Sequence, residues 1–177
     1  MSSHNKWSKI KHKKAATDAA KSKIFSKMAK LIATASKEAG GDTNSPVLRA
    51  AIDKAKSYNM PNDNVERAVK KGTGEGAESY EAITYEAYGP GGSALIIESL
   101  TTNRNKAAQE VKYILSKNGF ELARPGAASW AFTMNESREW EPNSTVEVSE
   151  SDGKILEKLI EELEENDEVQ AVYTNTS

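Results

Sequence analysis

The sequence predicts an α+β protein, with an N-terminal three-helix domain followed by a ferredoxin-like α+β domain. Three observations carry that prediction. Helical periodicity runs through the first 71 residues, alternating strand and helix periods follow a glycine-rich break, and the charge inverts at that break. From Met1 to Lys71 there are 16 Lys/Arg and 6 Asp/Glu, and from Gly72 to Ser177 there are 8 and 20. The net charges are +10 and -12, which together give the -2 of the whole chain. Such a split points to two modules with different partners, one of them polyanionic. The expected boundaries are 1–72 for the basic helical domain, 73–78 for a linker and 79–177 for the α+β domain.

The first helix is expected from Ala15 to Ala39, which holds no proline or glycine. Ile24, Phe25, Met28, Leu31, Ile32 and Ala35 recur there at helical spacing, and Gly40-Gly41 supplies a C-terminal cap. A second helix starts with Ser45 as N-cap and Pro46 at the first helical position, carries Leu48, Ala51, Ile52 and Ala55 inward, and stops at Asn59. "MPNDNVERAVKKG" is a third, with Asp63 and Glu66 spaced as a capping box and Gly72 closing it. Short connections make these a small bundle. "GTGEGAES" then reads as a linker, because its glycines follow a helix where a phosphate loop needs a strand.

In the acidic half, "YEAITYEAY" reads as a strand, "GPGG" as a turn and "SALIIESL" as a strand buried on both faces. "NRNKAAQEVKYILSKNG" is a helix ending at Gly119. "SWAFTM" alternates Trp130, Phe132 and Met134 on one face, and "NESREWEPN" reads as a surface connection. "STVEV" is a short strand, Ser151 caps a helix, and "EVQAVYT" is the last strand. Counted from Ser93 the order is β-α-β-β-α-β, the ferredoxin-like arrangement, with one extra strand before it.

Composition narrows the chemistry. The chain has no cysteine, which excludes disulfides, thiol catalysis and iron–sulfur clusters. No apolar run reaches membrane-spanning length, and the N-terminus lacks the apolar core of a secretory leader, so a cytoplasmic protein is expected. A cationic, Ser-rich start admits a mitochondrial transit peptide as the alternative, but its cations are all lysine. The only histidines, His4 and His12, have no acid or thiol nearby, and the acid run from Glu161 to Glu168 reads as a solvated helix face. The expectation is a non-enzyme with no metal and no cofactor.

The N-terminal stretch points instead to a polyanion. Nine lysines stand in the first thirty residues against a single acid, Asp18. Lys6, Lys9, Lys11, Lys13 and Lys14 lie on a segment without apolar periodicity, which reads as an exposed arm. Lys21, Lys23, Lys27 and Lys30 continue the charge onto the first helix. Trp7 is placed either to stack on an unpaired base or to pack on the bundle. Arg104 and Lys106 lie in "TTNRNK", where a helix N-terminus also favours anions, although Asn103 or Asn105 there reads first as a helix cap.

"HNKWSKIKHKKAATDAAKSKIFSK", "AIDKAKSYNMPNDNVERAVKKGTG", "YEAYGPGGSALIIESLTTNRNK" and "DEVQAVYTN" closely resemble the YebC/PmpR family, whose mitochondrial relatives act as translational activators. The match begins at His4 and runs almost to the last residue, so no cleavable leader is expected. The resemblance implies a bacterial, cytoplasmic protein with a helical domain and α+β domains after it. It implies a DNA-binding transcriptional regulator, or alternatively a ribosome-associated translation factor binding ribosomal RNA or tRNA through the same arm. A protein-interaction adaptor using the acidic domain is a third and weaker reading. Members usually carry a further domain between the "SWAFTM" and "STVEV" segments, and here the short loop 135–143 stands in its place. A monomer is favoured.

Overall fold

A computed structural model describes residues 17–177, which form two compact units, 17–80 and 81–177. The sites expected at Lys6, Trp7, Lys9, Lys11, Lys13 and Lys14 lie outside the described residues.

Three helices build the first unit: α1 (Asp18–Ala39), α2 (Pro46–Ser57) and α3 (Asn62–Thr73). Thr17 opens α1, its hydroxyl accepting the Ala20 N–H at 3.2 Å, and Gly40 closes it in the left-handed conformation at φ 61°. Asn59 takes φ 62° between α2 and α3, as its place in the sequence predicts. The core is Met28, Ile32, Leu48 and Val65, interleaved with Ala35, Ala51, Ala55 and Ala68.

Two features of α3 differ from expectation. The helix begins one residue before Asp63, after Pro61, so Asp63 sits in the first turn and caps nothing. Gly72 lies inside the helix and is buried. A Cβ on Gly72 would stand 2.3 Å from the Ala33 carbonyl oxygen and 2.8 Å from the Ser36 Cβ. The glycine therefore lets α3 lie directly against α1, and the Ser36 hydroxyl donates to the Val69 carbonyl at 2.7 Å beside it.

The second unit runs β1 (Glu81–Tyr88), β2 (Ala94–Thr101), α4 (Arg104–Lys117), β3 (Leu122–Ala123), β4 (Phe132–Met134), β5 (Trp140–Pro142), α5 (Glu150–Glu165) and β6 (Val169–Thr174). Its sheet has the order β3-β1-β2-β6 with every neighbouring pair antiparallel. β2 is buried on both faces, and its period of two divides the core. Leu95 and Ile97 pack with Val111 and Leu115 of α4 and Leu156, Leu159 and Leu163 of α5. Ala94 and Ile96 pack with Ala128, Ala131 and Phe132 on the other side.

The expected class, three helices and then an α+β unit with an antiparallel sheet, is the class observed. Several elements differ. The strand read as an extra one, β1, is central in the sheet. "SWAFTM" begins as a 3-10 turn over Ser129–Ala131, and only Phe132 of the three expected residues is buried, with Trp130 and Met134 60% and 46% exposed. "NESREWEPN" is not mere connection, because Trp140–Pro142 in it pairs with Phe132–Met134 as a separate hairpin. "STVEV" forms no strand beyond a single bridge between Val146 and Thr176. The cap of α5 is Ser149, which accepts the Asp152 N–H at 3.1 Å, and not Ser151.

Candidate nucleic-acid interface

α1 carries the described part of the expected cationic surface. Its inward stripe passes through Ile24, Met28, Leu31, Ile32 and Ala35, and Lys27 falls between Ile24 and Leu31 on that stripe. The structure accordingly leaves Lys27 only 9% exposed, so it is not the surface cation expected. Lys21 is exposed, and Lys23 and Lys30 are half-buried.

A second basic cluster was not visible in the pattern of the chain. Because Gly72 brings α3 against α1, Lys71 lines the same cavity as Lys30, together with Ser26, Glu78, Tyr80 and three alanines of the two helices. The cavity is about 150 Å³. The Lys30 ammonium lies 5.5 Å from the centre of the Tyr80 ring, a cation–π distance. Lys70 and Lys71 are exposed in the last turn of α3, where cations also suit the helix dipole. Forty residues separate Lys30 from these lysines, so only the buried glycine signals the juxtaposition.

Arg104 and Lys106 stand at the start of α4, where Asn103 is the cap and its side-chain oxygen accepts the Lys106 N–H at 3.1 Å. Each side chain already meets a carboxylate. Arg104 pairs with Glu81, and the Lys106 ammonium is 3.4 Å from Glu168. The structure does not bring these two residues together with the α1 lysines in one unit.

Among the described residues Glu86 is the one buried carboxylate, and it has a structural task. It accepts the backbone N–H groups of Gly126 at 2.6 Å, Ala128 at 3.0 Å and Ser129 at 2.6 Å. Burial pushes its pKa up, but these bonds outweigh burial and hold it below the ordinary glutamate value. Elsewhere burial raises the Tyr85 hydroxyl above its usual range, against the lowering influence of Arg104. Among the described residues no group of three or more His, Asp or Glu side chains is placed to hold a metal ion. No helix among them is long and apolar enough to cross a membrane.

Comparison with known proteins covers nearly the whole chain. Residues 5–75 match the family described as "TACO1/YebC protein N-terminal domain". Residues 80–137 and 133–176 match "TACO1/YebC second and third domain". A protein of Fervidobacterium nodosum named "Probable transcriptional regulatory protein" is 49% identical over 172 residues, covering 96% of this chain and 68% of that protein. A protein of the same description from Thermoanaerobacter pseudethanolicus is 37% identical over 237 aligned positions, covering 99% of this chain and 96% of its own length. Since 237 positions exceed the 177 residues here, that relative contains a stretch without a counterpart in this chain. A crystal structure of a conserved hypothetical protein from Aquifex aeolicus superposes with a TM-score of 0.83 at 31% identity, covering 98% of this chain and 97% of that one.

Proposed function

The chain belongs to the TACO1/YebC family, and on that premise we propose that it is a non-enzymatic regulator that binds nucleic acid, acting on DNA as a transcriptional regulator. The names of its relatives support the regulatory reading. The observation that carries nucleic-acid binding is the charge division, +10 over residues 1–71 against -12 over the rest. The proposed contact set is Lys6, Trp7, Lys9, Lys11, Lys13 and Lys14 of the arm with Lys21 and Lys23 of α1, extended by Lys70 and Lys71. Arg104 and Lys106 take a lesser place because each is committed to a carboxylate. We place the domain limits at 1–72 and 79–177, with 135–143 standing where longer relatives carry their extra domain. The two-part family match, joined at 133–137, supports that position.

A second reading, a ribosome-associated translation factor, has one observation in its favour. The cations of the proposed surface are lysines, which grip phosphate without reading bases. Two measurements test these readings. In the first, replacing Lys9, Lys11, Lys13 and Lys14 with alanine weakens binding to all sequences and flattens the salt dependence by up to about 0.9 per lost contact on duplex DNA. An unchanged slope removes the arm from the site. In the second, cosedimentation with ribosomes at moderate salt, undisturbed by excess duplex DNA, overturns the DNA reading in favour of RNA.

A further inference from the structure

We infer that the surface around Trp130 is a docking site for a cationic protein segment. Three large apolar side chains stand out from this region, Trp130 at 60%, Met134 at 46% and Tyr88 at 39% exposure. Two of them are locked. The Trp130 indole N–H donates to the Tyr88 hydroxyl at 2.8 Å, and that hydroxyl donates to the Ala127 carbonyl at 2.5 Å. The segment bearing Trp130 is itself pinned from below, since Glu86 accepts three of its backbone N–H groups. The polar edges of both rings are thus satisfied internally while much of their apolar surface stays in water. Rings held in this way lose little conformational freedom when a partner covers them.

Position in the fold favours a protein as that partner. Trp130 lies three residues before, and Met134 within, residues 133–137, where the two family matches overlap. The longer relative contains a stretch that this chain lacks, and here the two strands are joined only by the short β4–β5 turn. Charge sets the partner's chemistry. Residues 81–177 hold 18 Asp/Glu against 8 Lys/Arg. Close to Trp130 in sequence, Glu121, Glu136, Glu139 and Glu141 outnumber Arg124 and Arg138. That balance opposes a phosphate backbone and suits Lys or Arg side chains, whose charged ends lie well over an indole face and whose stems cover Met134.

The test uses the full chain labelled with ¹⁵N at its tryptophan indoles, titrated with nona-arginine and separately with oligouridylate. The Trp130 signal, identified by its loss in Trp130→Ala, should shift and saturate with the peptide. Trp130→Ala should weaken peptide binding about fivefold, within the range for a cation on an aromatic face. Glu136→Lys, at an exposed turn position, should weaken it without touching the hydrogen-bonded rings. Peptide shifts confined to the acidic α5, with Trp130 unmoved, would overturn the inference. So would wild-type affinity in both variants. Saturation of the Trp130 signal by oligouridylate at lower concentration than by the peptide would assign the surface to nucleic acid instead.

Discussion

The helical unit interleaves alanines and a buried glycine with its larger apolar side chains, whereas the sheet unit packs leucine and isoleucine around buried polar groups. In the first, Ala35, Ala51, Ala55, Ala68 and Gly72 let backbones approach, and exposed lysines such as Lys21, Lys70 and Lys71 remain outside. In the second, charged groups are tied up within the fold. Glu86 holds three backbone N–H groups, Glu98 accepts from the Trp140 indole at 2.6 Å, and Arg104, Lys106 and Lys117 each meet a carboxylate. On the proposed reading, the difference teaches that an external polyanion would find its cations on the helical unit, where Lys21, Lys70 and Lys71 stand exposed.

The contrast breaks most severely at Glu86. Glu86→Ala strands three backbone donors, of which the Ala128 N–H is buried, and an unsatisfied buried group costs about 1–3 kcal/mol, so a loss near the upper end of that range is expected in chemical denaturation. The pH dependence follows from the same carboxylate. Burial raises its pKa and the N–H bonds lower it further, leaving it below the unfolded value. Its contribution is therefore present above the unfolded glutamate pKa and lost as pH falls through the lower folded pKa. Wild type and Glu86→Gln should converge in denaturation midpoint across that acid range, and a gap that stays constant would contradict the assignment.

In the helical unit the matching test is Gly72→Val. A side chain there meets the Ala33 carbonyl, and overpacking of this kind costs about 1–3 kcal/mol, read as a lowered Tm. A tolerated valine would show that close backbone approach is not what joins α1 and α3. A smaller effect sharpens the reading of α4. Asn103→Ala removes its cap and should cost about 1 kcal/mol by denaturant titration. The smallest belongs to the exposed ammonium of Lys106. Lys106→Ala should change stability by less than about 1 kcal/mol, since surface ion pairs contribute little.

How much of this was legible depends on the range of the interaction. Gly40, Pro46 and Asn59 act on their own neighbours, so the helix ends they set can be read directly from the sequence. β2 could be read as doubly buried because its apolar run is continuous. Trp130 could not be placed, because it shares an alternating pattern with Phe132 while the residues just before it, Gly126, Ala128 and Ser129, are held by Glu86, 40 to 43 positions earlier. Leu122–Ala123 is too short to show a period, and "STVEV" has strand composition with only one bridge to make. Lys30 and Lys71 come to line one cavity through a glycine that reads locally as a helix stop. Long blocks resembling the family made membership legible even where the wiring of the sheet was not.

Salt dependence of nucleic-acid binding tests the central claim most directly, with two sets of three alanine substitutions compared in the full chain. One set removes Lys21, Lys70 and Lys71 from the helical unit, and the other removes the carboxylate-paired Arg104, Lys106 and Lys117 from the sheet unit. Cations gripping the backbone of duplex DNA contribute about 0.9 each to the slope of log affinity against log salt. The account predicts a flatter slope for the first set, by up to about 2.7, and a wild-type slope for the second. A wild-type slope for the first set with a flattened one for the second would contradict it.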